Sequence, residues 1–334
     1  MAFIIGYEEL STLPAMCVTA LGMSIGWGLF LDSAKHKIYH ALSKTTWWKR
    51  AMEPMKSMMV NFGYPREPTD KFPNGITESM ARDSYAYLVA ILFAHFFSAV
   101  PMIPVLMNGW EDSTDVQRSL FLLGSLSDVG FSIYDSCNIT IRTFFKHNMP
   151  TPLDYWFVMV PLHHTTSMLL SIPMNLYHVH RVEYHQTAVS LLMAAVLCYS
   201  AGCYKFSLDV AYKKRDLQLY KAIALYQLGV ILYTRVYLWF PAAKSFRHYL
   251  REQNDMLFFY GASIMIGVLS LFNLILVVDG LKAVIKSFPK KFPETKSEKE
   301  NTTKTLRRAS GADFPPLDMT RIAPHKHEKS AKAA

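Results

Sequence analysis

The chain is short of charge. Only 18% of its 334 residues are Asp, Glu, Lys or Arg, against about 25% in a typical soluble domain, and the deficit is concentrated in long apolar runs. That excludes an ordinary soluble globule, a disordered chain and a collagen-like fibre. Cysteine is scarce as well. Cys17, Cys137, Cys198 and Cys203 all fall inside apolar runs, with no CxxC pair and no His-partnered zinc spacing. A disulfide framework and a zinc module are therefore not expected, and the four thiols are expected to act as small buried hydrophobes. Acidic residues are outnumbered, 26 against 35 Lys and Arg, but 13 of those 35 lie after Gly280. The excess positive charge belongs to a tail and one loop, a membrane-surface distribution and not that of a nucleic-acid groove.

What the chain has in quantity is apolar segments of membrane-crossing length. A bilayer core about 30 Å thick needs roughly 20 apolar residues per helix, and seven stretches qualify, near 13–31, 84–107, 119–141, 155–176, 186–206, 219–241 and 256–278. The expected fold class is all-α, a polytopic membrane protein of about seven transmembrane helices. The third stretch, SLFLLGSLSDVGFSIYDSCNITI, carries two Asp residues and scores weakly in any hydropathy window, so a count of six spans is the alternative. The first is expected to stay as a helix and not be cleaved as a signal, because no Lys or Arg precedes it.

Loop charge sets the expected orientation. Nine Lys and Arg lie between Asp32 and Asp83, and further basic residues at Arg142, Lys146, Lys213, Lys214 and Arg215 fall on the same side. Glu8, Glu9, Glu111, Asp112 and Asp115 fall on the other, with Lys244, Arg247 and Arg251 as a contrary loop. The positive-inside rule then places the N-terminus in the lumen and the C-terminus in the cytosol. The expected organisation is a lumenal N-terminus with the first transmembrane helix (1–31), a cytosolic basic loop (32–83), a six-helix membrane unit (84–287) and a disordered basic tail (288–334). In the basic loop, adjacent Trp47 and Trp48 beside Lys49 and Arg50 suit an interfacial helix lying on headgroups. A basophilic phosphorylation pattern at Arg307, Arg308 and Ser310 lies in the tail.

Charged groups inside a span cost about 2.5–3.5 kcal/mol each, so they face a protein interior or a wet cavity. At about 100° per residue, Ser125, Asp128, Ser132, Asp135, Asn138 and Arg142 share one face of the third segment. The fourth supplies adjacent His163 and His164, followed by Ser167, Ser171 and Asn175. Counted from the same end at about 1.5 Å per residue, Asp135 and the two histidines lie at similar depth, which suits an imidazole base oriented by a carboxylate. Asp128 and Arg235 are deeper and matched, a candidate buried ion pair. His178, His180 and His185 follow at the boundary. Within His163–His185 there is no HxxxH, HxxHH or second HH spacing, which argues against a di-iron centre.

These residues resemble those of the TLC-domain family, which includes ceramide synthases, translocation-associated membrane proteins and lipid-homeostasis proteins. The likeness rests on Tyr134 and Asp135 in FSIYD, then LHHTTSMLL, then VILYTRVYLWFP two spans later, in that order. It covers roughly Ser84 to Ser287, with the first span as an extra helix. The resemblance implies a barrel of six helices around a lipid-accessible cavity, in the endoplasmic reticulum, with a cytosolic C-terminus. It also implies candidate catalytic residues His163, His164 and Asp135, and cavity or structural polar residues Asp128, Tyr134, Ser167, Ser171 and Arg235. The chain departs from ceramide synthases in having no His-Asp dipeptide and in carrying Ser167 where they have Thr, and Pro161 and Leu162 exclude the HxxHH box of fatty-acid elongases. The expected function is therefore lipid binding or sensing that influences membrane composition. The alternative is a ceramide-synthase-like acyltransferase, with acyl-CoA as co-substrate and an intramembrane histidine as base. Expected partners are membrane lipids, among them a sphingoid base or fatty acyl chain, and a second copy of the chain as a homodimer. No metal or other cofactor and no nucleic acid is expected. A seven-helix receptor matches the span count but lacks an acid before Arg142 and an NPxxY motif.

Overall fold

The computed structural model describes residues 6–145 and 150–289, and all regular secondary structure among them is helical. The tail with Arg307, Arg308 and Ser310 lies outside the described residues, as does Lys146. After a single turn at Tyr7–Leu10 come α1 (Leu13–Ser43), α2 (Trp48–Asn61), α3 (Glu78–Asn108), α4 (Asp115–Phe144), α5 (153–177), α6 (Val182–Ser207), α7 (Lys214–Glu252) and α8 (Met256–Ser287). Five of them, α1, α3, α6, α7 and α8, are long and apolar enough to cross a membrane. At about 1.5 Å per residue α1 is roughly 45 Å long and so exceeds a bilayer core. It continues past residue 31 to Ser43, and α3 begins at Glu78, so the stretch between the first two spans is itself largely helical.

α4 is the axis of the bundle, packed by α1 on one side, α3 on another and α5 beyond. A Thr114–Gln117 capping box starts it, each residue's side chain accepting from the other's backbone N–H. Two glycines let its neighbours come close. A Cβ on Gly130 would stand 2.6 Å from Met23 Cβ and 2.7 Å from Ala20 O of α1, and one on Gly124 would stand 2.5 Å from Ser98 O of α3. Small residues at such crossings allow backbone-to-backbone packing, the main source of attraction between helices in lipid.

Outward faces are apolar. Val18, Ile25 and Leu29 of α1 and Leu257, Ile264 and Ile285 of α8 are exposed, an inside-out arrangement for a water-soluble protein and the normal one for a protein solvated by lipid. The cysteines follow the same logic and correct the sequence reading: Cys17 and Cys137 are exposed and Cys198 and Cys203 half-buried, all as free thiols. An apolar context here means the outer face as often as the core.

Two helices contain π-helical turns, α5 at Val158–Thr165 and α7 at Tyr233–Leu238. Proline explains their positions. Pro161 and Pro241 lack an N–H, and each ring crowds the carbonyl four residues earlier, Phe157 and Tyr237, so the ladder widens there. Thr166 Oγ1 donates to Pro161 O at 2.9 Å and Thr234 Oγ1 to Val230 O at 2.8 Å, satisfying carbonyls at each irregularity. The segment with Lys244, Arg247 and Arg251 is helical, the end of α7, and not a loop.

Candidate functional site

A cavity of about 590 Å³ lies between α3, α4, α5, α6, α7 and α8, within the roughly 300–1,000 Å³ of small-molecule sites. Its α4 wall runs from Ser125 to Arg142, roughly 25 Å at about 1.5 Å per residue. Ser125, Asp128, Ser132, Asn138 and Arg142 all line it, so the polar face expected of this helix is the one turned inward. Leu88, Ile91, Leu170, Leu191, Leu269 and Leu276 supply apolar wall between the polar groups.

The structure brings His164 and Asp135 together. Nε2 of His164 lies 2.9 Å from Asp135 Oδ2, its Nδ1 lies 3.2 Å from Ser132 Oγ, and both side chains are about 1% exposed. The Tyr87 hydroxyl of α3 donates to the other carboxylate oxygen. An ionised Asp135 only accepts, so His164 carries its proton on Nε2 and, when neutral, accepts from the Ser132 hydroxyl on Nδ1. Both nitrogens of His164 are thereby engaged. His163 differs: its Nδ1 has no hydrogen-bond partner, its ring lies parallel to Phe272 of α8 at 4.3 Å, and it lines the cavity. Of the adjacent pair, His163 holds the uncommitted nitrogen. Both sit on the π-helical turn of α5, and Arg235 sits on that of α7, in keeping with the clustering of such turns at functional sites.

One sequence expectation is corrected. Asp128 does not pair with Arg235. Its carboxylate lies 3.7 Å from His95 Nδ1 of α3, while Arg235 donates from Nη1 to Asn273 Oδ1 of α8 at 3.0 Å. The rotation and lateral order of the helices turn each group toward a different neighbour. Of the residues expected as cavity or structural polar groups, Tyr134 has the structural place: its hydroxyl donates to Asp32 Oδ1 of α1 at 3.0 Å and its ring packs over Gly28. Ser167 and Ser171 do line the cavity, and Asn175 closes one end in a ring of hydrogen bonds with Ser125 and Tyr184, at 2.9 Å to Ser125 Oγ and 2.8 Å from the Tyr184 hydroxyl. His95 and Asn273 are the functional-site candidates that sequence reasoning passed over. Each is a lone polar residue in an apolar run, AHFF and LFNL, which was signal enough.

The Arg142 end is closed by α2 and the residues after it. α2 was expected to lie on headgroups, but Trp48, Ala51, Met55 and Met59 are buried against α3 and α6, and Met58, Phe62, Gly63 and Tyr64 line the cavity. Gly63 has φ +87°, a left-handed conformation that glycine adopts freely. Lys71 fastens this strap by donating from Nζ to Thr143 O and Thr151 O, both at 2.9 Å. Burial pushes the Tyr64 phenol above its ordinary range, so it stays a neutral donor. At the other end, outside the spans, His178 is packed edge-on by Phe246, Tyr249 and Phe258 with neither nitrogen bonded. Burial holds its pKa below the ordinary value, outweighing the opposite pull of Asp255. His36 and His40 form an HxxxH pair on α1, their rings 4.4 Å apart, and do not line the cavity.

No family model, curated protein or solved structure matches this chain.

Proposed function

We propose that this is a TLC-type membrane protein whose cavity binds a membrane lipid and through it influences lipid composition. The observation that carries the reading is a cavity of about 590 Å³ with apolar walls and a polar stripe along its α4 side, enclosed by helices whose outer faces are apolar. A lipid needs this combination: hydrocarbon walls for a chain and a few placed polar groups for a head. Seven helical rods, α1 and α3–α8, serve as spans in this reading. α4 is shielded from lipid by its neighbours, and α3–α8 form the six-helix barrel that the FSIYD, LHHTTSMLL and VILYTRVYLWFP resemblance implies. The basic residues between Asp32 and Asp83 support a cytosolic position for α2 and the C-terminal tail and a lumenal N-terminus. The endoplasmic reticulum is the location consistent with the resemblance.

A specific observation favours a second reading, acyl transfer. His163 lines the cavity with its Nδ1 unpartnered, beside an imidazole held by a carboxylate, an arrangement that would let its ring take a proton from an amine or hydroxyl as that group attacks an acyl-CoA thioester and the CoA thiolate leaves. In that reading His163 is the base, with His164 and Asp135 as positioning residues. The test is a comparative lipidome of cells expressing wild type or His163→Ala at matched level, fed isotopically labelled fatty acid and sphingoid base. The binding reading predicts lipid classes that shift equally in both. A labelled acyl product that vanishes with His163 would establish acyl transfer in its place.

A further inference from the structure

Arg235 and Asn273 stand together in the cavity wall with more hydrogen-bonding capacity than the protein uses. A guanidinium has donors only, so Asn273 must offer Arg235 its carbonyl oxygen, the 3.0 Å contact. That choice turns the amide nitrogen elsewhere, where it has no partner, although Asn273 is only 2% exposed. Arg235 in turn is half-buried with a neutral partner, where a cation withdrawn from water calls for an anion. Among the described residues no carboxylate forms a salt bridge with it, and the carboxylate of Asp128 lies against another residue, 3.7 Å from His95 Nδ1. Both residues line the cavity, and both border Phe272: Arg235 lies 5.9 Å from its ring centroid, and Asn273 follows it in α8. Guanidinium donors and an amide N–H₂ with no acceptor therefore belong to two hydrogen-bonded residues of the cavity lining, beside apolar wall.

We propose that Arg235 and Asn273 form an oxyanion subsite that seats the ionised carboxylate of a single-chain amphiphile, a free long-chain acid, with its chain along Leu170, Leu191, Leu269 and Leu276. The inference rests on the lipid-binding reading and names the class of head group that the cavity selects. Two oxygens carrying one negative charge match one guanidinium and one amide. Asp128 nearby disfavours a doubly charged phosphate monoester, and a cavity of this volume holds one chain more readily than two.

The test is displacement of the fluorescent fatty acid cis-parinarate from the full chain in nanodiscs at pH 8, with oleate, oleyl alcohol and oleoyl lysophosphatidate as competitors. Oleate is expected to bind about tenfold or more tighter than oleyl alcohol, the size of a charge-assisted pair. Arg235→Gln should remove that preference, with monodisperse elution and an unchanged helical circular-dichroism signal showing that the variant is folded. Asn273→Leu, which keeps the side-chain shape, should weaken oleate several-fold. Equal binding of acid and alcohol by the wild type would overturn the subsite and leave the lipid cavity standing. Tighter binding of lysophosphatidate than of oleate would overturn the carboxylate assignment. Binding of none of the three would remove both the subsite and the lipid-binding reading beneath it. If Arg235→Gln does not fold, the wild-type comparison and Asn273→Leu decide.

Discussion

α4 and α8 are nearly the same length, 30 and 32 residues, and opposite in character. α8 is apolar over most of its length and turns Leu257, Ile264, Leu271 and Ile285 outward, whereas α4 carries three aspartates and buries most of its middle, including Ser125, Ser127, Ser132 and Asp135. Apolarity in this molecule reports contact with the surroundings, and polarity reports contact with protein or cavity. Hydropathy therefore passes over α4, the helix that carries the polar wall of the site.

Substitutions at the two kinds of position should separate sharply. The largest effect is expected at the glycines. Gly130→Leu forces a side chain into the backbone of α1 and should destabilise by about 3 kcal/mol or more, whereas Gly267 of α8 has open space around its Cβ direction. Gly267→Leu should be neutral or stabilising by up to about 1 kcal/mol through helix propensity. Thermal unfolding of both in nanodiscs checks the contrast, and equal melting points would break it. Next comes the buried carboxylate. Asp135→Leu leaves His164 Nε2 and the Tyr87 hydroxyl without their acceptor and should cost about 3 kcal/mol, while Asp32→Leu, which strips one exposed hydrogen bond from Tyr134, should cost under about 1 kcal/mol.

The strap over the Arg142 end should be looser than the barrel it closes. Lys71→Met removes two hydrogen bonds to carbonyls, about 1–2 kcal/mol in all, and should speed proteolysis at residues 62–77 while sparing α4. The smallest effect is a slope. His178 has a folded pKa below its unfolded value of about 6.5, so the unfolded chain binds the extra proton. Stability present above about pH 6.5 should then fall as the pH drops below it. His178→Leu should flatten that acid limb of the melting curve and leave the plateau at pH 8 little changed, and an unaltered limb would assign the slope to other groups.

The polar stripe of α4 was legible in the sequence because 100° per residue is a property of one helix alone. So was the approach of Asp135 to the adjacent histidines, since depth is a count of residues from a common end. What depth cannot supply is rotation and lateral order, which decided that Asp128 meets His95, that Arg235 meets Asn273 and that Tyr134 turns away to Asp32. The π-helical turns at Pro161 and Pro241 add to this, because each shifts the angular register of the residues after it and no regular helical wheel carries them. The role of α2 was hidden for another reason. An amphipathic helix that would cover headgroups and one that covers a cavity present the same apolar stripe, and only Met55, Met59 and Tyr64 in contact with the bundle tell them apart.

A lipid inside the bundle is tested most directly by native mass spectrometry of the protein released from nanodiscs. The comparison is wild type against Ala195→Trp, which fills the cavity from α6, and Leu197→Trp, which adds the same ring to the outward face of that helix. A lipid adduct that survives on the wild type and on Leu197→Trp but is lost from a folded Ala195→Trp protein is the predicted result. Adducts of the same mass and abundance on all three would place lipid only on the outer surface and contradict the account.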